Sequence, residues 1–517
     1  MPIFTPPPSP PSTIELAQPR YGVSPVILQS HGYRYVVTGN TLLPPALIRA
    51  TIASAATPKV AIGALLKAYH RSGYALVAIK GQVVGTSVGL AVFQGLITTL
   101  KSPASIRPFF GGLQGRDNVR KPEIIQDQIL ADTFASRSGN QTRVNISPAP
   151  NPDGTDLTIN QTPIAGYSMV SGALTFGNYG SRYSSGYLVG ADVVANLTHG
   201  IQITGNFSQG LPGLRQISSG SNYYQNGVGA SIVTPYGIYG FSTSWTHYRL
   251  GKATYPLNPD GNVFTYQFTG SQFIYADTAT RVSVNEALNH VRYGETVFNG
   301  YYTLLNQHYN YLTLGGSVDH SLTIGGRTGN LSGSLNFNLG ISGPSGTLYD
   351  NVPGVPTSHF RYTDLTLGYT QQLPYGFQAN LNGQAQWSVS TLPAGQQWVL
   401  GGLGTLSAWE PGVVAADSGY LARLQIDAPE FKRFGGSARF GVFLETGGAT
   451  FTIPSPGTAP WQTLSDAGVS LKLQLPHGFS ATAMAATPIQ TNGFSTSGET
   501  NLRSNRLDVF FVVQKGF

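Results

Sequence analysis

The sequence contains no cysteine, few charged residues and no long run of apolar residues. Without cysteine the chain cannot form disulfide bonds, thiolate metal sites or a cysteine nucleophile. Only 10% of its 517 residues are charged, whereas a soluble domain carries about 25%. The nearest candidate for a spanning helix, residues 61–66, is bounded by Lys59 and Lys67, and a spanning helix needs about 18 apolar residues. These absences argue against an ordinary soluble domain and against a helical membrane protein.

Glycine and aromatic residues are abundant instead. There are 64 Gly, 27 Tyr and 25 Phe residues. A chain rich in Gly and Tyr, with few charges and no spanning helix, is typical of a transmembrane β-barrel, whose strands produce a weak hydropathy signal. The net charge of +7 is small for this length and the Lys and Arg residues are scattered, so we expect no nucleic-acid partner.

The first residues do not have the pattern of an export signal. Residues 1–12 read MPIFTPPPSPPS, with neither a basic n-region nor an apolar h-region. Because a barrel must be exported, we expect a truncated or unusual gene start.

The residue pattern divides the chain into four segments. Residues 1–28 are rich in proline and are predicted to form an extended linker. Residues 29–103 have the order strand, two helices, then two or three strands, and residues 104–165 repeat this order more weakly. In residues 166–517 alternating strands replace helices almost completely. The predicted fold is therefore two α+β domains followed by an all-β transmembrane barrel.

A recurring turn predicts the number of barrel strands. Four segments have His or Tyr, then Gly, then Ile or Phe, with a strand on each side, as a tight hairpin with positive φ requires. The glycines are Gly200, Gly237, Gly376 and Gly478. Their spacings are close to one, three and two multiples of about 45 residues, the length of two strands with one long and one short connection. With further turns at 324–326, at 434–436 and near 277–282, about sixteen antiparallel strands are predicted.

The C-terminus has the pattern of a final barrel strand. In residues 506–517, alternate positions carry apolar side chains on one face, with Lys515 as the exception. Phe511, Val513 and the terminal Phe517 lie on this face. Exported barrels typically end in a strand with a terminal aromatic residue, so we expect these three residues to be recognised by the barrel-assembly machinery and to contact outer-membrane lipid. The alternative is the buried last strand of a soluble β-domain.

No catalytic, cofactor or metal site is predicted. Residues 85–89, Gly-Thr-Ser-Val-Gly, match the Gly-x-Ser-x-Gly pattern of hydrolases, which requires a strand–turn–helix elbow with a His and an acid nearby. Here a strand continues through residues 88–93, which favours a chance match. The histidines of the barrel segment have no metal-ligand spacing. We therefore expect a protein that is not an enzyme.

Taken in order, these features resemble a known family, the transporters of two-partner secretion, which are hemolysin secretion/activation proteins of the outer-membrane assembly-factor superfamily. The resemblance covers about residues 30–517. Residues 35–44 and 69–74 are similar to the opening of that family's first POTRA domain, and residues 148–159 to the end of the second. Residues 176–186 resemble the first barrel strand and its Asn-x-Gly-Ser turn. The resemblance implies POTRA domains at the two α+β segments and a barrel in the bacterial outer membrane.

The resemblance also implies a functional loop. In this family the long sixth surface loop folds back inside the barrel, and an Arg at its tip pairs with an Asp on a nearby strand. The turn count puts the sixth loop between the turns at 376 and 434. Four residues match the flanks of the family's loop motif: Gly401, Gly402, Asp417 and Gly419. The tip, residues 406–409, contains Ser407 and Trp409 but no Arg.

The expected wall partner of the tip differs as well. Phe443, Glu445 and Gly447 stand where the family has Phe-x-Asp-x-Gly. Without an Arg, a buried Glu445 needs another donor or stays protonated. The Ser407 hydroxyl and the indole N–H of Trp409 are the candidate donors. We expect these loop and wall residues to form the gate of the pore.

The resemblance implies export of a large exoprotein. POTRA strand edges within residues 29–165 would capture the unfolded exoprotein in the periplasm by adding it to a sheet edge, and the barrel would form the pore without a cofactor. Two alternatives stay open: an outer-membrane protein insertase of the same superfamily, and a passive porin. The two POTRA segments and the Asn-x-Gly-Ser turn favour secretion. The family's plug helix has its only candidate at residues 12–18.

Overall fold

The structure, a computed structural model, describes most of the chain after residue 23. The described residues are 24–150, 154–181, 183–214, 220–251, 254–350, 352–433, 435–454, 459–504, 506 and 509–517. The candidate plug helix at 12–18 lies outside them, as does most of the predicted linker. The linker prediction of 1–28 extends too far, because Val26–Ser30 forms a strand.

The first module is a four-stranded sheet with two helices packed against it. The sheet order is β1-β2-β4-β3. The elements are β1 (Val26–Ser30), β2 (Tyr33–Thr38), α1 (Pro45–Ala53), α2 (Pro58–Arg71), β3 (Ala78–Val84) and β4 (Ser87–Phe93). Tyr35, Ile48 and Leu65 are fully buried in the core that sheet and helices share. Thr57 caps α2 with its side chain, and the chain leaves the helix at Gly73, where φ is 91°.

The second module is a three-stranded sheet, order β5-β7-β6, with a long helix. Its elements are β5 (Leu96–Lys101), α3 (Arg107–Phe110), α4 (Lys121–Ser136), β6 (Asn140–Pro148) and β7 (Gly154–Pro163). Residues 29–103 were expected to form the first module, but β5 pairs in parallel with β7 and belongs to the second sheet. Gly95 explains the difference. Its φ of 73° and the Leu76 carbonyl oxygen, 2.3 Å from the position of a Cβ, make a turn that leads the chain out of the first sheet.

A closed antiparallel barrel of sixteen strands follows, which confirms the predicted fold class. The strands after β7 are β8 (Val170–Gly177), β9 (Leu188–Asn196), β10 (Ile201–Gly210), β11 (Asn222–Thr234), β12 (Gly237–Arg249), β13 (Asp260–Ala276), β14 (Thr280–Val297), β15 (Tyr302–Ile324), β16 (Arg327–Gly340), β17 (Arg361–Gln372), β18 (Gln378–Ser388), β19 (Trp398–Leu400), β20 (Val414–Ala416), β21 (Ser418–Asp427), β22 (Phe431–Arg433), β23 (Gly436–Thr450), β24 (Gln462–Leu475), β25 (Phe479–Asn492) and β26 (Val509–Gly516). Among these, β19 and β20 form a hairpin within a loop, and β22 is a short segment beside β23. A helix, α5 (Thr496–Ser504), precedes β26.

The predicted tight turns join successive barrel strands. Gly200, Gly376 and Gly478 have φ values of 69°, 82° and 76°. The preceding residues, His199, Tyr375 and His477, also have positive φ. Two successive positive φ values are the signature of type I′ hairpins, whose twist matches that of the strands. The turn expected near 277–282 joins β13 to β14. Of the turn expected at 434–436, residue 434 lies outside the described part of the chain.

The barrel wall alternates between apolar and polar side chains. In β21 the side chains of Arg423, Gln425 and Asp427 are buried on the lumen side, whereas Leu424 and Ile426 are exposed on the outside. An apolar outer face and a polar inner face are what a membrane-spanning barrel requires.

The helix α4 fixes the second module to one end of the barrel. The guanidinium of Arg137, just after α4, donates hydrogen bonds to the carbonyl oxygens of Gly200 (2.8 Å) and Ser231 (2.9 Å). Phe134 lies so close to Gly200 that a Cβ there would come within 2.3 Å of its ring. Val233 of the barrel is buried in the core of the module. The module is therefore docked at the end of the barrel that carries the tight turns.

The barrel closes where its first strand meets its last. Between β8 and β26 the register contains five residue pairs. Gly172 and Phe517 exchange backbone hydrogen bonds beyond one end of this register. At the other end the Asn178 side chain donates to the carbonyl of Val509 (2.8 Å) and accepts from the amide of Phe511 (2.7 Å). The Asn178 carboxamide thus extends a short backbone seam.

Candidate functional site: the loop inside the barrel

The connection from β18 to β21, residues 389–417, folds into the barrel, and we call it loop 6. It is the sixth connection at the end of the barrel opposite the tight turns, at the position that the turn count predicted. Its hairpin packs in one buried cluster with the inner faces of β21, β23, β24 and β25. The fully or nearly buried members of the cluster are Leu400, Leu406, Ala408, Trp409, Val414, Ala416, Leu421, Phe443, Ala449, Leu464, Met484, Ala486 and Leu502. Loop 6 is therefore part of the barrel's interior core.

Glycines at the predicted positions allow this close packing. Gly401 has a φ of 101°, and a Cβ there would lie 2.3 Å from the Glu410 carbonyl oxygen. Gly402 has a φ of 103°. On the wall, a Cβ at Gly419 would lie 2.0 Å from the Trp398 ring. A Cβ at Gly447 would approach Leu400 and Leu406 to 3.2 and 3.4 Å. The two loop glycines thus shape the tip, and the two wall glycines make room for it.

The tip binds the wall through its main chain. The amide of Ser407 donates to Oε2 of Glu445 at 2.6 Å, and the amide of Ala408 donates to Oδ2 of Asp466 at 2.8 Å. Glu445 on β23 and Asp466 on β24 are directly opposite each other in the register, and both are 0% exposed. Two adjacent carboxyl groups on the wall therefore accept hydrogen bonds from two consecutive amides of the tip.

Neither of the side-chain donors expected at the tip fills that role. The Ser407 hydroxyl accepts a hydrogen bond from the Gly404 amide (3.3 Å) within the loop. The Trp409 side chain is 1% exposed and packs in the loop cluster, while its carbonyl accepts from the Gly402 amide (3.0 Å). The prediction of Glu445 as the wall partner agrees with the geometry, but the Ser407 hydroxyl was the wrong donor.

Arg423 supplies the cation that the tip lacks. Its guanidinium forms an ion pair with Glu445, its opposite residue on the neighbouring strand. The Arg423 guanidinium also lies over the Phe443 ring at 4.3 Å and donates to Gln425 (2.7 Å). Sequence reasoning missed Arg423. Its inward position follows from the alternation of side chains along β21. Its pairing with Glu445 depends in addition on the register between β21 and β23.

Asp417 anchors the second end of loop 6. Its carboxylate, 0% exposed, accepts from the amide of Leu392 (2.8 Å), near the start of the loop, and from that of Thr452 (2.9 Å), in the next long connection. One carboxylate therefore joins both ends of loop 6 to a neighbouring loop.

The start of loop 6 is held by a different part of the wall. Gln396 donates from Nε2 to the Tyr309 hydroxyl (3.1 Å) and accepts from the Tyr362 hydroxyl (2.7 Å). The Ala394 amide donates to Gln307 (3.2 Å). These wall residues lie on β15 and β17, whereas the tip is bound by β23 and β24. Loop 6 therefore crosses the lumen between two separate parts of the wall.

The three C-terminal residues that were expected to form the assembly signal lie at or near the outer surface of the barrel. Val513 is 39% exposed and Phe517 is 62% exposed. The Phe511 ring is 5.8 Å from that of Phe176 across the seam. Lys515 is the one polar residue on the apolar face of this strand. Its ammonium lies 5.1 Å from the centre of the Phe479 ring and donates to backbone carbonyls.

The hydrolase-like motif has no elbow. Ser87 begins β4, and Gly85 forms a hairpin turn with a φ of 57°, so no helix follows the serine. Among the described residues no group of three or more His, Asp or Glu side chains has an arrangement that could hold a metal ion. None of the helices in the described part of the chain is both long and apolar enough to cross a membrane.

Comparison with known proteins agrees with this geometry. The chain is similar to the heme/hemopexin transporter protein HuxB of Haemophilus influenzae, at 25% identity over 209 residues. That match spans 40% of this chain and about a third, 35%, of the relative. Among solved structures, CdiB from Escherichia coli matches with a TM-score of 0.75 at 16% identity, over 98% of this chain and 92% of that one. CdiB from Acinetobacter baumannii matches with a TM-score of 0.68 at 15% identity, over 98% and 93%.

The family comparison covers most of the barrel. Residues 153–473 match the family model described as haemolysin secretion/activation protein ShlB/FhaC/HecB. This segment contains loop 6 with its anchors on β21, β23 and β24. The chain therefore belongs to the haemolysin secretion/activation protein family ShlB/FhaC/HecB, whose barrels lie in the bacterial outer membrane.

Proposed function

We propose that this protein exports a large partner polypeptide from the periplasm to the cell surface by two-partner secretion. The observation that carries the proposal is loop 6, which crosses the lumen and is bound at its tip by Glu445 and Asp466. A passive porin has no need for a loop locked across its lumen, whereas an exporter must stay closed until its substrate arrives. The gate consists of the residues that shape, bind or anchor this loop: Gly401, Gly402, Ser407, Trp409, Asp417, Gly419, Arg423, Phe443, Glu445, Gly447 and Asp466.

The two modules act as POTRA domains that capture the unfolded substrate. The first sheet has β1 and β3 at its edges. On β3, Val83 and Val84 are 51% and 66% exposed. An extended chain can add to such an edge through main-chain hydrogen bonds, with pockets or apolar side chains beside it. Docking of the second module on the barrel rim by Arg137 then delivers the captured chain to the lumen.

Export needs no enzymatic step or cofactor. Folding of the substrate outside the cell supplies the free energy, because the outer membrane has no nucleotide supply. The relative HuxB is named a heme/hemopexin transporter, which supports a transport role and leaves the partner of this chain to be identified by experiment.

The last strand also serves assembly of the barrel. Val513 and Phe517 face lipid with exposed apolar surface. A C-terminal strand of this kind is the segment that the barrel-assembly machinery would recognise. Phe511, whose ring packs at a tilt against that of Phe176, would complete the signal once the first and last strands have joined.

Gene deletion tests export directly. We expect one large protein to disappear from the culture supernatant of the deletion strain and to return when the wild-type gene is restored. An unchanged supernatant, with fewer other barrels in the outer membrane, would instead favour an insertase.

The short seam is the observation that favours the insertase. Five pairs join β8 to β26, and an insertase opens such a seam to pass strands into the membrane. Thr175 and Gln514 are paired there in the register, between hydrogen-bonded pairs, where Cα atoms lie about 4.5 Å apart and suit a disulfide. Because the chain has no cysteine, Thr175→Cys with Gln514→Cys locks the seam cleanly. Export through the lumen survives this lock, whereas insertion through the wall is lost until a reductant is added.

A further inference from the structure

One barrel strand lines the lumen with an unbroken row of carboxamides. On β18 the inward side chains are Gln378, Asn380, Asn382, Gln384 and Gln386, which we call the carboxamide ladder. The alternate residues of the same strand include Leu381 and Trp387, which are 48% and 69% exposed on the outer surface. Every inward position of the strand from Gln378 to Gln386 therefore carries a neutral group that both donates and accepts hydrogen bonds.

The lower end of the ladder opens into a polar cavity next to the tight turns. The cavity has a volume of about 480 Å³. Asn380 donates to Asp427 (3.0 Å), and Arg439 donates to Gln378 (3.0 Å). Lys472 lies 3.6 Å from Asp427. The charges beside the ladder are of both signs, so the cavity favours neither acidic nor basic ligands.

The upper end of the ladder already binds main-chain carbonyl groups. Nε2 of Gln386 donates to the carbonyl oxygens of Gln396 (3.0 Å) and Asp417 (2.9 Å), which belong to the two ends of loop 6. The ladder therefore leads from the periplasmic mouth to the base of the loop that crosses the lumen. Between these ends, Asn382 and Gln384 are exposed to the lumen.

The spacing of the ladder matches that of an extended polypeptide. Alternate residues of a strand are about 6.8 Å apart. The main-chain amides and carbonyls that point to one side of an extended chain repeat at the same distance. Neutral carboxamides can bind these main-chain groups whatever side chains the passing polypeptide carries. The net energy of each such hydrogen bond is small, so the polypeptide can dissociate and move along the strand.

We propose that the carboxamide ladder is the track on which an extended, unfolded polypeptide forms main-chain hydrogen bonds as it passes from the periplasmic mouth towards loop 6. The inference rests on the proposed export function and specifies the route: the chain runs along β18. The ligand is a polypeptide backbone in general, and no particular sequence is selected by the ladder.

The test uses the full-length protein in planar bilayers. The probe is an uncharged, unstructured peptide of about twenty Gly, Ser, Thr and Asn residues, which reaches about 70 Å when extended. It is added on the side of the modules, and the duration of each current blockade is measured. The measurement is made on the wild-type gate and on a gate released by Glu445→Gln and Asp466→Asn, with Arg423→Met added so that no buried cation is left without its partner.

Replacing the two exposed carboxamides removes the track while keeping the charge of the lumen. We expect Asn382→Leu with Gln384→Leu to shorten the blockades about tenfold, since two modest hydrogen bonds are lost. The variant Asn382→Gln with Gln384→Asn keeps the amides and should restore the duration. The matched control is Asn206→Leu with Asn330→Leu, which replaces exposed lumen amides on β10 and β16 and should leave the duration unchanged.

The outcomes separate the track from the function. Blockades of normal duration in the β18 variant, or equal shortening in the control, overturn the ladder and leave export standing. If the peptide blocks neither the wild-type nor the released gate, the export proposal falls, and the ladder falls with it.

Discussion

At the scale of single residues, the contact between loop 6 and the wall depends on where the charges are placed. The tip contributes main-chain amides, which every residue except proline possesses, so its side chains are free to differ from the family's Arg-containing tip. The cation is Arg423 on the wall, opposite Glu445 in the register. The motif position identified Glu445 from the sequence. Arg423 could not be identified in the same way, because its pairing depends on the register across a turn and its side chain matches no motif.

Arg423 should be essential to the stability of the buried contact between loop 6 and the wall. Removing one partner of a buried ion pair leaves an uncompensated charge, at a cost of about 3–5 kcal/mol. We therefore expect Arg423→Met to lower the free energy of unfolding by that amount, measured by guanidinium titration in detergent. Adding Glu445→Gln to Arg423→Met should recover much of the loss, because the unpaired charge is then removed.

An exposed ion pair provides the control for this prediction. Arg249 is 56% exposed and pairs with Asp260 at 2.6 Å, so Arg249→Met should cost at most about 1 kcal/mol. Equal losses in Arg423→Met and Arg249→Met would contradict the role assigned to Arg423.

At the scale of elements, turns were easier to predict from the sequence than sheet membership. Gly200, Gly376 and Gly478 located hairpins because a positive φ strongly favours glycine. Leu96–Lys101 was assigned to the wrong sheet because its partner, β7, lies more than fifty residues later in the chain, and alternation does not identify the partner of a strand. The docking of α4 by Arg137 could not be predicted for the same reason, since its acceptors are the backbone carbonyls of a distant turn, at Gly200, and of a distant strand, at Ser231.

The helix α4 should make the second module sensitive to pH. Burial, with repulsion from Glu123, raises the pKa of Asp127 to about 7, although Arg116 partly opposes the shift. An unfolded Asp ionises near pH 4, so between about pH 4 and 7 the folded module binds more protons than the unfolded one. Its stability is therefore fully present below pH 4 and falls as the pH rises through 7.

Asp127→Asn removes this dependence. We expect the variant to gain about 2 kcal/mol over wild type at pH 8.5 and little at pH 4, after allowance for partial exposure. Thermal unfolding of the two proteins at both pH values measures the difference. If the stability difference between Asp127→Asn and wild type does not increase with pH, Asp127 is not the source of the pH dependence.

At the scale of the whole molecule, loop 6 joins parts of the wall that the barrel itself keeps apart. Its start is bound to β15 and β17 through Gln307, Tyr309 and Tyr362, and its tip to β23 and β24. The count of sixteen strands could be predicted from turn spacing, because it requires only the average number of residues in two strands and their two connections. The crossing of the lumen could not, because it depends on contacts between residues that are 34 to 87 positions apart in the chain.

Releasing the tip should open the pore without unfolding the barrel. Glu445→Gln with Asp466→Asn replaces the two carboxyl acceptors of the tip by carboxamides, and Arg423→Met is added so that no buried cation is left without its partner. We expect the hold on the tip to weaken by about 2 kcal/mol, which raises the released population roughly thirtyfold. The start of the loop stays bound through Gln396, so the tip swings away from β23 and β24. Single-channel conductance in planar bilayers should show frequent large openings in place of a mostly closed pore.

A carboxylate elsewhere on the inner wall is the control for this opening. Asp364 on β17 accepts hydrogen bonds from Asn336 (2.7 Å) and Asn338 (2.6 Å) on β16. Asp364→Asn makes the same chemical change without touching the tip, so the pore should stay closed. If Asp364→Asn opens the pore as often as the released variant does, the lumen charge itself, rather than the hold on the tip, controls the opening.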